Sequence, residues 1–347
     1  PSARDHPLLS GLSALQTQRL MSLTTPSSQS ASIGELRRTS ADVRRIKAAG
    51  KSAILIGVEN AYSMAAYVTR ALTDYAEGVE VAATRGVLGS MLGLLADGAT
   101  HVGVATDRVV ESFRNDLFDG YKTGEGTPPE LFAQFPLLEA ALEAAGFTVF
   151  AMVTHEADDA LGAAAVLAAA DPRVDAVHVC TPDKDLAQVV NDSAGIAQVD
   201  RRRETIYDQA GVVGKFGVEP TSIPDWLALV GDTADGIPGL PGWGAKSSSI
   251  ILARYGHLEA IPADADDWDV PVRGAAKLAA TLVERREEAE LYRHLATLDL
   301  AAPVMRNVDD LEWNGPADHL DAVCAHLDAP RVAERVRRLV ADRKRDL

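Results

Sequence analysis

The sequence is poor in cysteine, in long apolar runs and in positive charge. Its 347 residues include only Cys180 and Cys324, which are too few and too far apart for a disulfide framework or a cysteine metal site. No apolar run approaches the roughly 20 residues that cross a bilayer, so a membrane-spanning class is excluded. We expect both cysteines to be packing residues, and we predict a cytoplasmic protein without a membrane partner.

The shortage of positive charge restricts how the chain binds nucleic acid. Thirty-four basic residues stand against 50 acidic residues, which gives a formal net charge of −16. The electrostatic field of this net negative charge repels polyanions. Any contact with nucleic acid must therefore be made by a locally basic surface or through metal ions. A protein that coats DNA through a broad basic face is therefore excluded. The composition, 47% hydrophobic and 24% charged, is that of a globular protein.

The order of sequence patterns predicts an α/β fold. Residues 1–51 are rich in Ser, Thr, Gln and Arg, and we expect a poorly ordered leader there. From residue 52 onward, apolar strand-like runs alternate with helical patterns, which is typical of a parallel sheet flanked by helices. The predicted strands are 53–58, 101–106, 147–153 and 174–181, and the predicted helices are 84–96, 129–145 and 156–170.

Acidic residues follow three of these predicted strands. They are Asp107 after the second strand, Glu156, Asp158 and Asp159 after the third, and Asp183 and Asp185 after the fourth. The carboxyl ends of parallel strands meet at one edge of a sheet, so we expect these acids to converge. Crowded carboxylates stay ionised most easily around a hard divalent cation, Mg²⁺ or Mn²⁺. Taken singly, each group is also explained as the start of a helix.

A glycine-rich block follows two further acids, Asp232 and Asp235. It reads Gly239-Leu240-Pro241-Gly242-Trp243-Gly244-Ala245-Lys246. Its glycines permit a tight turn and a close approach of backbone to a ligand, and the following helix offers free N–H groups to a phosphate. This combination predicts a hairpin that grips a nucleic-acid backbone without reading bases. A purely structural turn between two helices is the alternative.

Together these motifs resemble the 5′ nuclease family, which comprises flap endonucleases, bacterial and phage 5′–3′ exonucleases and the 5′-nuclease domain of DNA polymerase I. In order, they are Ala105-Thr106-Asp107, Phe113-Arg114, Tyr121-Lys122, Glu156-Ala157-Asp158-Asp159, Thr181-Pro182-Asp183-Lys184-Asp185 and the block at 231–246. The resemblance covers roughly residues 81–300 and is greatest to the stand-alone exonucleases, because no polymerase-like extension follows. It implies a PIN-like parallel sheet flanked by helices, with a helical DNA-binding region of helix–hairpin–helix type.

The resemblance also implies roles for individual residues. Two or more divalent metal ions are expected on Asp107, Glu156, Asp158, Asp159, Asp183, Asp185, Asp232 and Asp235. Arg114 and Lys122 resemble a basic pair that neutralises the scissile phosphate during attack, although ordinary surface charge is the alternative. DNA contact is expected from Gly239, Gly242, Gly244, Lys246 and Ser247, with K⁺ bridging carbonyls near Leu240 and Trp243 to phosphate. Trp243 departs from the small or aliphatic residue usual at that turn.

The first predicted strand departs from the family pattern. The family has an Asp-Gly pair at the end of this strand, but here the sequence reads Ile56-Gly57-Val58-Glu59-Asn60. Glu59 is the only nearby carboxylate, so either it reaches the metal through its longer side chain or the cluster lacks one ligand. A divergent, mis-started or foreign beginning of the chain is a third explanation.

These patterns predict four parts of the chain. They are the leader at 1–51, a nuclease core at 52–200 with an arch near 108–130, a helical DNA-binding region at 201–300 with its hairpin motif at 236–256, and a C-terminal helical extension at 301–347. The basic segment 331–347 of this extension is either a solvated helix face or a phosphate contact.

The predicted function is metal-dependent 5′–3′ exonuclease or 5′-flap endonuclease activity on DNA 5′ ends, flaps and nicks, as in replication and repair. One alternative is a member of the family that has lost catalysis and only binds branched DNA. Another is an RNA-cutting PIN-domain nuclease, although such proteins have no need of the 231–246 block.

Overall fold

The computed structural model describes residues 52–58, 75–76 and 79–346 and is built around a six-stranded sheet. The sheet contains β1 (Ser52–Val58), β4 (His101–Asp107), β5 (Thr148–Met152), β6 (Ala176–Cys180), β7 (Ile196–Asp200) and β8 (Thr205–Tyr207), in the order β5-β4-β1-β6-β7-β8. The short strands β2 (Tyr75–Ala76) and β3 (Val79–Glu80) pair separately. All neighbouring strands of the large sheet are parallel except β7 and β8. The predicted α/β fold is confirmed, whereas the predicted leader and Glu59 lie outside the described residues.

Twelve α-helices of the described residues cover both faces of this sheet or form a second region. They are α1 (Ala82–Ala96), α2 (Phe113–Leu117), α3 (Pro129–Phe132), α4 (Gln134–Ala144), α5 (Ala157–Ala169), α6 (Gln209–Phe216), α7 (Ile223–Val230), α8 (Ala245–Tyr255), α9 (Ala275–Glu284), α10 (Arg286–Ala296), α11 (Leu320–His326) and α12 (Pro330–Asp346). Leucines of α1 and α4 fill the core on one face, and the alanines of α5 pack closely on the other. Every residue of β4 is buried, as expected for a parallel strand covered on both faces.

The predicted helix at 129–145 is interrupted in the structure. It forms two helices, α3 and α4, which meet at Ala133. Pro136 has no N–H with which to bond the carbonyl of Phe132, so the regular hydrogen-bond ladder cannot continue through this point. The other predicted helices begin and end within about two residues of the observed ones, which is the usual uncertainty of helix ends.

The sheet extends beyond the predicted end of the nuclease core at residue 200. Strands β7 and β8 were not predicted, and β8 lies inside the region expected to be helical. Strand β8 has only three residues, none of them buried. Gln198 explains the omission of β7, because it is a polar residue buried in the sheet, where its amide donates to the carbonyl of Thr181 (3.2 Å). A buried amide of this kind makes a core strand look like a half-polar segment.

A second core lies among helices α6 to α10. Trp226, Trp243 and Tyr292 are buried in it, and Tyr121 joins it from the segment that follows β4. The helices α11 and α12 return to the sheet, where Val336 and Leu339 pack in the cluster formed by α1 and α4. In the described ranges, no helix has the length and apolar character needed to cross a membrane.

Candidate metal centre

Three aspartates from distant parts of the chain form a compact cluster. Asp185, Asp232 and Asp235 each present a carboxylate oxygen within 4.8 Å of the others. Asp185 follows β6, and the two other residues lie in the loop after α7. Paired backbone hydrogen bonds between Asp232 and Ile237 (both 2.8 Å) close this loop and fix its carboxylates at the carboxyl edge of the sheet.

A second group of acids lies at the neighbouring strand ends. Asp107 ends β4 and is 2% exposed, and its Oδ1 accepts a hydrogen bond from the backbone N–H of Ala157 (2.7 Å). Glu156 and Asp158, at the start of α5, are also buried. Lys122 connects the two groups, because its Nζ lies 2.7 Å from Glu156 Oε2 and 3.0 Å from Asp235 Oδ1.

Burial and mutual repulsion shift the pKa values of these acids. Burial raises the pKa of Asp107 to about 8, and the charges of Glu156 and Asp159 act in the same direction against Lys122. Burial, with the charge of Asp235, also raises the pKa of Asp185 well above its usual range. The pKa of Asp235 rises to about 6 for similar reasons. Without a further cation, burial and repulsion therefore favour the neutral form of these carboxyl groups, and a bound cation would restore the ionised form.

The donor set fits a hard divalent cation. Its ligands are carboxylate oxygens, with no thiolate or imidazole in the cluster, which is the chemistry preferred by Mg²⁺ and Mn²⁺. The Oδ1 atom of Asp185 is buried and accepts no hydrogen bond from the part of the chain that the structure describes. Asp183 lies beside it, half-buried, and accepts a hydrogen bond from the Asp185 N–H (3.3 Å). The crowded oxygens thus have the character of metal ligands.

Glu156 is kept ionised by its neighbours. Burial opposes its charge, but Lys122, Arg114 and a hydrogen bond from Ser112 Oγ (2.7 Å) lower its pKa overall. The hydroxyl of Tyr121 also donates to it (3.3 Å). The sequence analysis missed Ser112 and Tyr121 as partners of Glu156. Their positions beside Phe113-Arg114 and Lys122 were the only available signal.

Arg114 and Asp159 form a buried ion pair below the metal centre. The guanidinium donates to both oxygens of Asp159 (2.7 and 2.8 Å) and to the carbonyls of Leu295 (2.7 Å) and Thr297 (3.0 Å). Asp159 also accepts from the backbone N–H groups of Glu156 and Asp299. In this structure the hydrogen-bonding groups of both side chains are engaged. The phosphate contact of Arg114 and the metal contact of Asp159 stay predictions.

The two lysines of the site have different surroundings from Arg114. Lys122 is 19% exposed and reaches the carboxylates from the solvent side. Lys184, which sequence analysis did not select, places its Nζ 2.5 Å from Asp232 Oδ2. Its position between Asp183 and Asp185 in the sequence was the signal for it. Both ammonium groups therefore contact carboxylates of the two acidic groups.

The glycine-rich block connects α7 with α8. Gly239 has a φ of +71°, and a Cβ there would lie 2.6 Å from the backbone N of Gly231, so this glycine serves close packing of the loop. Gly242, Gly244 and Lys246 are exposed at the start of α8. The hydroxyl of Ser247 accepts from the N–H of Gly244 (3.1 Å) and donates to its carbonyl (3.0 Å). Ser247 thus caps the helix.

Trp243 points away from this exposed turn. Its side chain is buried, and its indole Nε1 donates to the carbonyl of Leu278 (3.2 Å). The ring also packs near Trp268, with centroids 6.2 Å apart. The unusual tryptophan is therefore a core residue of the helical region, and only its backbone faces the turn.

Two family models match the chain. The model for the N-terminal resolvase-like domain of 5′–3′ exonucleases matches residues 54–217, and the model for their C-terminal SAM fold matches residues 218–319. DNA polymerase I of Bacillus caldotenax is 36% identical over 219 residues, which are 62% of this chain and 24% of that protein. DNA polymerase I of Pseudomonas aeruginosa is 37% identical over 238 residues, 67% of this chain and 26% of its own length. The chain thus spans about a quarter of these relatives.

Solved structures share the fold. A zinc-bound T5 5′-exonuclease has a TM-score of 0.55 and 16% identity, with 84% of this chain and 99% of that chain covered. The catalytic core of Rad2 in complex with a DNA substrate has a TM-score of 0.52 and 15% identity, with 84% and 93% covered.

Proposed function

The chain belongs to the 5′–3′ exonuclease family, and from this membership we propose that it hydrolyses DNA phosphodiester bonds in a divalent-metal-dependent reaction. The proposed substrates are DNA 5′ ends, flaps and nicks, and the proposed role is in replication and repair. The observation that carries the proposal is the cluster of Asp185, Asp232 and Asp235, with oxygens within 4.8 Å of one another at the carboxyl edge of the sheet.

The proposed ligands divide between the two groups of acids. Asp185, Asp232 and Asp235 hold one Mg²⁺ or Mn²⁺, and Asp107, Glu156, Asp158 and Asp183 supply oxygens for a second. A divalent cation bound there lowers the pKa of a water molecule and stabilises the negative charge of the phosphate. The protein itself then needs no nucleophilic side chain.

Lys122 is the proposed phosphate-binding group. Its ammonium contacts Glu156 and Asp235 and remains partly open to solvent, so it can turn toward a phosphate that enters above these acids. A positive charge at this point stabilises the charge that builds on the phosphate during attack. Arg114 acts as a positioning residue, because its pair with Asp159 fixes the first turn of α5 and therefore the carboxylates of Glu156 and Asp158.

The turn before α8 is the proposed grip on the DNA backbone. Gly242, Gly244 and Lys246 are exposed there, beside the N-terminus of a helix. A phosphate is stabilised by the positive end of the helix dipole and by Lys246 without any contact to a base. Carbonyls near Leu240 and Trp243 are the proposed ligands of a bridging K⁺.

A binding protein that has lost catalysis is the second candidate. Glu59 favours it, because the family has aspartate at the end of the first strand and this chain has glutamate after β1. The two candidates differ in one result. A 5′-flap duplex that binds tightly but stays uncut in Mg²⁺ or Mn²⁺ would establish binding alone, and a matched RNA flap would reveal an RNA-cutting nuclease.

The test of the proposal is replacement of an acid in the cluster. Asp185→Ala should abolish cleavage of the 5′-flap duplex while the circular dichroism spectrum and the melting temperature remain those of a folded protein. Asp309→Ala is the matched control, since this aspartate is exposed and pairs with Arg173 away from the cluster. Full activity of Asp185→Ala would refute the assignment. A cytoplasmic location is also proposed, in keeping with the free thiols of Cys180 and Cys324.

A further inference from the structure

A short basic turn lies at the same edge of the sheet as the metal centre. It joins β7 to β8 and consists of Arg201, Arg202, Arg203 and Glu204, which we call the arginine turn. Strand β7 is parallel to β6, so both strands end at the same edge. The amide of Gln198 in β7 contacts the carbonyls of Thr181 and Asp183 after β6, which places the start of the turn beside the segment that carries Asp183 and Asp185.

The arginine turn is held in a fixed conformation. Asp200 is 3% exposed, and its Oδ1 accepts hydrogen bonds from the backbone N–H groups of Arg202 (3.0 Å) and Arg203 (2.9 Å). Glu204 completes the turn with a φ of +54°, a left-handed conformation that is rare for a residue with a side chain. The side chains of Arg202 and Arg203 are exposed as a result. The same buried acid thus fixes the backbone of the turn and, through Oδ2, also pairs with the guanidinium of Arg203 (3.4 Å), which stays 71% exposed.

Lys215 adds a third cation to this surface. It lies in the last turn of α6, with its Nζ 4.4 Å from the ring centre of Tyr207 and 4.8 Å from that of Phe216. Partial burial lowers its pKa, and the charges of Arg203 and Lys184 add to this effect against those of Asp200 and Asp183. Lys215 is itself exposed, and its contact with Tyr207 places it beside β8, the strand that continues from the arginine turn. Cations that lie near one another in this way are favourable where they share an anion.

The strand order shows how far the arginine turn lies from the metal centre. Lys122 follows β4, which lies on one side of β1, whereas β6, β7 and β8 lie on the other side. Neighbouring strands are about 4.8 Å apart, so the arginine turn lies roughly 5–10 Å beyond β6. A nucleic-acid strand advances about 3.4 Å per nucleotide, so a backbone that leaves the carboxylates along the edge reaches the turn within about three nucleotides.

We propose that Arg202, Arg203 and Lys215 form a phosphate-binding surface for the DNA strand that runs past the metal centre. The contact is to the backbone and is independent of sequence, because flexible cations on an open turn match phosphates and not base edges. It supplies the locally basic surface that a protein of net charge −16 needs in order to hold DNA. The inference rests on the proposed function, since it takes DNA as the substrate of this site.

The experiment compares two double variants that remove the same charge. Arg202→Gln with Arg203→Gln changes the arginine turn. Arg306→Gln with Arg173→Gln is the control, because the side chains of these arginines are 88% and 48% exposed at the opposite edge, near the starts of β5 and β6. Binding of a fluorescent 5′-flap duplex is measured by anisotropy from 50 to 200 mM salt, with Asp183→Ala in every protein to prevent cleavage. Steady-state cleavage is measured in the proteins that retain Asp183.

Each phosphate contact contributes about 0.9 to the slope of log affinity against log salt. Loss of two contacts should reduce the slope by about 1.8, so the affinity advantage of the unaltered turn shrinks roughly twelvefold between 50 and 200 mM salt. KM should rise with little change in kcat, and Lys215→Gln should reduce the slope by about 0.9. Slopes and KM equal to those of the control pair would overturn the inference. Failure of the unaltered protein to cut any DNA would instead refute the proposed function.

Discussion

Replacement of Arg114 by glutamine tests the buried pair that holds the metal centre together. The change removes the guanidinium from Asp159, which is 0% exposed and, among the described residues, retains the backbone N–H donors of Glu156 and Asp299. It also removes the donor from the carbonyls of Leu295 and Thr297 at the end of α10. Removal of one partner from a buried ion pair costs about 3–5 kcal/mol, because the remaining charge stays unpaired in a dry environment.

Urea unfolding in the presence of a chelator measures this cost. We expect Arg114→Gln to lose about 3–5 kcal/mol of unfolding free energy, and the addition of Asp159→Asn to restore part of it by removing the isolated charge. The exposed Arg306→Gln should change the free energy by no more than about 0.5 kcal/mol. An Arg114→Gln protein as stable as Arg306→Gln, or a double variant that shows only the sum of two losses, would refute the positioning role.

Three other predictions concern the acids and the glycine-rich block. Without divalent cations, stability should fall as pH rises from about 4 to about 8, because the folded pKa of Asp107 lies above its unfolded value; urea midpoints should show this, and Asp107→Asn should flatten the profile. Gly239→Ala should lower the melting temperature, since its Cβ would lie 2.6 Å from Gly231 N, whereas Gly244→Ala should not. Lys246→Ala should weaken binding to all DNA sequences about equally and reduce salt sensitivity; a sequence-selective loss would contradict a backbone grip.

The arrangement of the acids was predictable because it follows from strand order. Asp107, Glu156 and Asp185 each follow an apolar strand, and parallel strands bring such positions to one edge whatever their separation in the chain. The convergence of Asp232 and Asp235 with them depended on the family resemblance. No periodicity predicts how the loop after α7 returns to the sheet.

The roles of Arg114 and Asp159 were not predictable in the same way. Their motifs look like those of other charged residues nearby, and only the packing of α10 against the start of α5 makes them a buried pair. The helix-start interpretation considered for Glu156 to Asp159 holds for one member, since Asp159 accepts from the N–H of Glu156. Strand β7 escaped detection because the buried polar Gln198 hides its apolar pattern, and β8 because it has only three residues, none of them buried.

The central claim is that distant acids form one site because a divalent cation binds them. Crystals soaked in Mn²⁺ and measured by anomalous scattering test it directly. The account predicts an anomalous peak about 2.0–2.6 Å from carboxylate oxygens of Asp185, Asp232 and Asp235. Bound manganese found only elsewhere, or no peak at this cluster at saturating Mn²⁺, would contradict it.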